Sequence, residues 1–396
     1  EIISNSNTND VDKFFMIAEA QLHATVIYMV SNNELKGIRS FKNGFNAFQK
    51  LEDIAPEAIQ TAKIRGLYNI FLGSVPEKYE WLIGVLGMEG DFELGVKNLK
   101  HAFEYTKTLG DRYEIGFYYA MFASFFTDNP EDYYHYFKNL DNSFYANPLM
   151  RQGLSMLAEA SGNTNDCLQV LLTNYNKQGD TEYNLLNYQI GNFLLYKLNP
   201  DAGQYLKLYR KNKGSDTQNL SAERSLYWHY IITNQLKKAK EIRQSMILLA
   251  QNENNEQAAY IIRELESYNT PNIHLLKARL LYNGGDYQEA LAQLIHYNKN
   301  TNNLRQNTEY HYRKANINEK LENMDAAKIY YKKTMLLGKD QSWYFAPQSA
   351  LNLGKIHEAE NKKDLAKQYY KMCIKINISP YKESINREAK RCLRQL

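Results

Sequence analysis

A chain of 396 residues exceeds the roughly 250 to 300 at which a single hydrophobic core stops growing, so it calls for several domains or a repeat. Its 20 Gly and 8 Pro are few for that length, which excludes a many-stranded sandwich or barrel; 44% hydrophobic and 23% charged residues exclude a disordered chain. The 48 basic and 44 acidic residues leave +4, too little over the whole chain to attract nucleic acid or a membrane in general.

Residues 1–9 form a polar tail of Asn, Ser and Thr and are expected to be disordered. The chain opens at Glu1 without Met, which a cleaved export signal and an artificial boundary explain equally well, so cell envelope and cytoplasm stay equal as compartments. Helical spacing begins at Phe14, Ala18, Leu22, Val26 and Met29, with Asn9-Asp10 as the N-cap, and resumes at Leu35, Ile38, Phe41, Phe45, Phe48 and Leu51. With a third helix from about Pro56 to Leu72, residues 10–78 read as N-terminal helices packed on the rest of the chain.

Beyond residue 78 the sequence is periodic. Ala278, Ala290, Leu294 and Tyr297 recur as Ala315, Ala327, Tyr331 and Thr334, and again as Gly354, Ala366, Tyr370 and Cys373. Two antiparallel helices pack closely only where each presents a small side chain at the crossing, and a large residue one turn later fills the gap to the next pair. The second small position falls at residues 95, 133, 167, 203, 239, 290, 327 and 366, with spacings of 38, 34, 36, 36, 51, 37 and 39. Residues 79–378 are therefore expected to form eight helical hairpins. The 51-residue step leaves room for an extra helix near 256–268, whose Ala259, Ile262 and Leu265 share one face. Pro380-Tyr381 then interrupts the pattern, and residues 379–396 read as a basic capping helix.

The repeat resembles the tetratricopeptide repeat (TPR) superfamily, which places L-G, then A, then F or Y at these separations. The fold class expected is all-α, a superhelical solenoid of TPR-like hairpins. A narrower likeness lies at 66–104, where Gly66, Asn69, Pro76, Leu82, Gly87, Gly90-Asp91 and Gly95 resemble the characteristic segment of the inclusion-body-clearance family of TPR proteins, also labelled a mitochondrial outer-membrane family. Members of that family end in a TPR array and a basic helix and have no established catalytic residues, so the resemblance implies a non-enzymatic protein.

Catalytic motifs are missing from the sequence as well. The Gly84–Gly95 stretch has Val96 where a phosphate loop needs Lys; His357-Glu358 lacks the second His of a zinc helix; and no G-x-S-x-G elbow occurs. Cys167, Cys373 and Cys392 have no metal-ligand spacing and sit in apolar helical contexts. The expectation is no enzyme, no cofactor and no metal. No apolar run reaches the roughly 18 residues of a membrane span.

On the TPR template the first helix of each hairpin lines the concave face, and its outward positions give Tyr188, Asn192 and Tyr196, then Arg224 and Trp228, then Arg279, Tyr282 and Asn283, then Tyr312, Asn316 and Lys320. Aromatic rings beside amide and guanidinium donors suit an extended peptide or a glycan. The leading reading is a protein-interaction scaffold holding a peptide or partner helix in this groove; the alternative is an exported, glycan-binding TPR protein of the cell envelope. Residues 361–396 carry ten Lys or Arg against three acids and offer a second surface to an acidic partner or an anionic lipid.

Overall fold

A computed structural model describes residues 9–31, 33–74, 90–127, 129–175, 183–211, 216–251, 256–267, 270–298, 303–376 and 381–396. Most of the 1–9 tail, the expected first hairpin start at 79, Pro76, Leu82, Gly87 and Pro380 lie outside the described residues. Within them the chain is all-α, twenty α-helices and one 3-10 helix without a strand, in two compact units, Glu1–Ser161 and Gly162–Leu396.

The first unit holds α1 (Asp10–Val30), α2 (Glu34–Ile54), α3 (Ile59–Ser74), α4 (Phe92–Tyr105), α5 (Leu109–Phe126), α6 (Pro130–Lys138), the 3-10 helix Asn142–Ala146 and α7 (Pro148–Ser161). Polar caps start its helices: Asn9 accepts from the Asp12 amide, Asp91 from Leu94 and Thr108 from Asp111, each satisfying a first-turn donor that the helix itself leaves open. Its core is aromatic. Phe48 stacks on Tyr68 at 5.2 Å, Phe41 on Phe71 at 5.2 Å, and Phe103 packs on Phe137 at 5.9 Å. Gly66 and Gly95 let α3 and α4 cross closely, since a Cβ on either would stand 2.9 Å from the other's carbonyl oxygen. Lys63 is buried but held between Glu19 and Glu114, at 2.5 and 2.8 Å, as a buried cation must be.

The second unit holds α8 (Thr164–Thr173), then the pairs α9 (Leu185–Tyr196) and α10 (Ala202–Lys211), and α11 (Asp216–Ile232) and α12 (Leu236–Gln251). After α13 (Glu256–Ser267) come α14 (Ile273–Asn283) with α15 (Tyr287–Ile295), α16 (Leu304–Lys320) with α17 (Met324–Gly338), α18 (Phe345–Ala359) with α19 (Lys363–Lys375), and α20 (Lys382–Gln395). Each pair packs on itself and, through most of the unit, on the next. Ala278, Ala290, Ala315, Ala327 and Ala366 are all fully buried at the crossings, and Tyr331 and Tyr370 fill the gaps beside them.

The turns repeat as strictly as the crossings. Gly162, Leu198, Asn234, Gly285, Glu322 and Asn361 have positive φ, between 55° and 82°, and each lies five residues before the small residue of the following helix. A left-handed residue there ends one helix in a tight reversal: the Asn323 amide reaches back to the Asn318 carbonyl at 2.8 Å, and Lys362 reaches His357 in the same way. Only two of the six are glycine, which is how a chain poor in Gly makes so many turns.

Hydrogen bonds to one turn join distant parts of this unit. The Thr164 hydroxyl donates to the Gly284 carbonyl at 2.8 Å across 120 residues, and Lys197 donates to the same carbonyl and to Asp286 at 2.8 Å.

At the C-terminus Ile385, Ala389 and Cys392 bury one face of α20 against Ala366, Tyr370 and Cys373. Lys362, Lys363, Lys367, Lys371, Lys375, Lys382, Arg387 and Arg394 stay exposed.

Candidate functional site

All eleven residues expected to line a groove lie on the first helices of their hairpins: Tyr188, Asn192 and Tyr196 on α9, Arg224 and Trp228 on α11, Arg279, Tyr282 and Asn283 on α14, and Tyr312, Asn316 and Lys320 on α16. Their exposure differs sharply. Asn192, Tyr196, Trp228, Tyr312 and Asn316 are buried, Tyr188, Arg224, Arg279, Tyr282 and Asn283 are half-buried, and Lys320 is exposed.

The covering groups are the protein's own. Two guanidiniums lie over the Trp228 ring, that of Arg224 at 4.9 Å and that of Arg279 at 4.4 Å from its centre. Arg279 in turn meets Glu264 of α13 at 3.0 Å, with side chains 13% and 7% exposed. Tyr260, one turn before Glu264 on α13, packs against Tyr344 at 5.4 Å and Tyr381 at 5.3 Å, which stand at the starts of α18 and α20. Tyr312 sits edge-on to Tyr344 at 5.5 Å and packs on Phe345 at 5.2 Å. Tyr188 packs on Tyr209, and Tyr282 on Tyr287. Asn316 accepts from the Tyr331 hydroxyl at 2.7 Å.

Charge gathers at the same place. On α16 Glu309 lies between Arg305, at 3.5 Å, and Arg313, at 3.0 Å, all three buried and one helical turn apart. Burial pushes the Tyr260 phenol well above its ordinary range, and so keeps it neutral beside these ions. Tyr381 adopts φ 68°, a left-handed conformation unfavourable for a tyrosine, at the point where its ring meets Tyr260 and Tyr344.

Sequence reasoning missed Tyr260, Glu264, Arg305, Glu309, Arg313, Tyr344 and Tyr381. The Arg-Glu-Arg spacing on α16 is visible in the sequence, but such a stripe ordinarily marks a solvated face. Tyr344 and Tyr381 precede their helices, outside the repeat template. On α13 the buried face is Ala258, Ile261 and Leu265 with Tyr260 and Glu264; Ala259 is exposed and Ile262 half-buried, so the face expected from apolar spacing is turned by about one residue. Pairing of Glu264 with Arg279 and packing of Tyr260 set that rotation, and hydrophobic periodicity does not see them.

Among the described residues no three His, Cys, Asp or Glu side chains are placed to hold a metal ion, and no helix is long and apolar enough to cross a membrane. All three cysteines are buried, and burial raises each thiol, that of Cys373 to about 12.

Stacked antiparallel hairpins with small residues at each crossing define an all-α repeat protein of the α-α solenoid class. More particularly, residues 308–335 and 347–377, the greater part of α16 to α19, match the tetratricopeptide repeat family model, so this part of the chain is built of tetratricopeptide repeats. No curated protein matches the chain.

Proposed function

We propose that the protein is a non-catalytic interaction scaffold that binds a protein partner, as a peptide or a helix, on the face formed by the first helices of its second unit. The observation that carries this reading is the tandem tetratricopeptide repeat at 308–335 and 347–377, whose first helices belong to the row that also holds Trp228 and Arg279. Trp and Arg concentrate binding energy because a flat ring loses few rotors and buries a large surface, while a planar guanidinium is pre-organised for paired hydrogen bonds and stacking. Within this reading the contact residues are Tyr188, Asn192, Tyr196, Arg224, Trp228, Arg279, Tyr282, Asn283, Tyr312, Asn316 and Lys320. The likeness of residues 66–104 to the inclusion-body-clearance family favours the same conclusion.

The test is capture from native extract with cross-linking, identification of the captured protein, and titration of that protein by calorimetry. Trp228→Ala combined with Arg279→Ala should weaken its binding at least tenfold while the circular dichroism spectrum stays helical; an unchanged affinity refutes the assignment of the face. For the exposed basic residues at the C-terminus we propose an acidic partner, whose affinity should fall steeply between 50 and 300 mM salt; an affinity insensitive to salt removes that surface from consideration.

A further inference from the structure

One helix of the second unit stands apart from the repeat. α13 lies in the 51-residue step between α12 and α14, and its side chains reach beyond its neighbours in sequence. Glu264 pairs with Arg279 of α14, and Tyr260 packs on Tyr344 and Tyr381 at the starts of α18 and α20. Its backbone is held from the other side by Arg243 of α12, which donates to the Leu265 carbonyl at 2.7 Å. A single short helix thus covers side chains from several hairpins at once, as a ligand helix laid across the row would.

Two observations mark the covered face as a seat for a ligand. Its charge leans positive without α13: among the described residues Arg279 and Arg313 both lie near the Glu309 carboxylate, which also pairs with Arg305, and Glu264 supplies a second carboxylate to Arg279. The Tyr260 hydroxyl, on a residue only 5% exposed, has no hydrogen-bond partner among the described residues, so α13 fills the seat with one of its own polar groups unsatisfied.

We infer that the face under α13 is the partner's seat and that α13 is an in-chain stand-in for it. The partner is then a helix carrying an aromatic residue with a carboxylate one turn later, the spacing of Tyr260 and Glu264. This deepens the scaffold reading and rests on it. Because α13 is tethered to its seat, a free helix binds with an apparent affinity lowered by the fraction of time α13 is in place. Loosening α13 therefore tightens the partner's binding.

The probe is a fluorescein-labelled peptide of residues 256–267, titrated by anisotropy into the full chain. Against Tyr260→Ala/Glu264→Gln it should bind at least tenfold more tightly than against the wild type, and a peptide with both positions changed to Ala should bind at least tenfold more weakly than the native one. Glu264→Gln alone, which keeps the shape of α13, should give a smaller gain of about threefold and decides the matter if the double variant is not helical by circular dichroism. Equal affinity for the wild type and a folded variant overturns the inference, as does equal binding of the two peptides. A Glu264→Gln chain that exchanges α13 into a dimer makes a second copy the occupant, and also overturns it. If an extract partner depends on Trp228 and Arg279 but does not compete with the peptide, α13 is no stand-in and the scaffold reading survives. If no extract partner depends on those residues, that reading falls, whatever the peptide does.

Discussion

Replacing Tyr331 by Phe removes one oxygen from the most connected position in the repeat, and the loss can be estimated from its neighbours. The Tyr331 hydroxyl lies 2.7 Å from Asn316 Oδ1, accepts from Asn352 Nδ2 at 2.9 Å and bonds the Glu319 carboxylate, which burial pushes up and this bond pulls back down. A net hydrogen bond contributes about 1 kcal/mol, but a buried partner left unsatisfied costs about 1–3 kcal/mol, so three partners at a fully buried ring make a loss of about 2–4 kcal/mol reasonable. Tyr370 is the internal control. Equally buried, it bonds Glu358, the residue twelve positions earlier just as Glu319 precedes Tyr331, and touches the Cys392 thiol, so Tyr370→Phe should lose only about 1–2 kcal/mol. Urea unfolding followed by tryptophan fluorescence, to which Trp343 contributes from the same cluster as Tyr331, reads the difference. Losing the phenol raises the Glu319 pKa in the folded chain further, so the gap between wild type and Tyr331→Phe should narrow as pH falls through the carboxylate range. Equal losses for the two variants, or a gap that widens at low pH, would refute the reasoning.

Three other predictions concern the turns, a buried histidine and the thiols. Glu322 is exposed at φ 61°, so Glu322→Gly should raise the stability read by urea unfolding by about 0.5–1 kcal/mol, whereas Gly285→Ala should lose about 2–4 kcal/mol, because at φ 82° its Cβ would stand 2.1 Å from the Gly162 carbonyl oxygen; effects of the same sign would contradict the assigned turns. Burial, helped by Lys207 and Lys238, lowers the His229 pKa, so its share of stability is present above the unfolded pKa of about 6.5 and is lost as pH falls below it; midpoints at pH 7.5 and 5.5 should drop more for the wild type than for His229→Gln, and parallel drops would be inconsistent with this. The three thiols should be silent to a thiol reagent until denaturant is added, and rapid reaction of Cys373 in the native protein would contradict its burial.

The helical repeat was legible because it rests on volume: Ala315, Ala327 and Ala366 must be small, and a spacing of small residues survives in sequence whatever surrounds it. The first helices were legible for the same reason, and with them the row on which Trp228 and Arg279 lie. What covers that row was not, since periodicity tells which side of a helix is apolar and says nothing of a helix from elsewhere laid over a polar side. Buried charge was equally hidden: Arg305, Glu309 and Arg313 have the spacing of a solvated stripe and differ only in having Phe345 and Tyr312 against them. Part of the asparagine excess now has a cause. Asn272 accepts from the His274 and Leu275 amides and Asn303 from Gln306, while Asn234 and Asn361 take left-handed turn positions that other side chains resist.

The bonds from Thr164 and Lys197 to the turn at Gly284 and Asp286 alter how this unit should come apart. A stack of hairpins that touch only their neighbours unravels from its ends, one repeat at a time, with amide exchange graded along the chain. A clasp closing 120 residues ties α8 to the turn between α14 and α15, so the stretch from α8 to α15 should exchange its amides together as one block. It also makes that block slow to assemble, because the loop must close before the clasp rewards it.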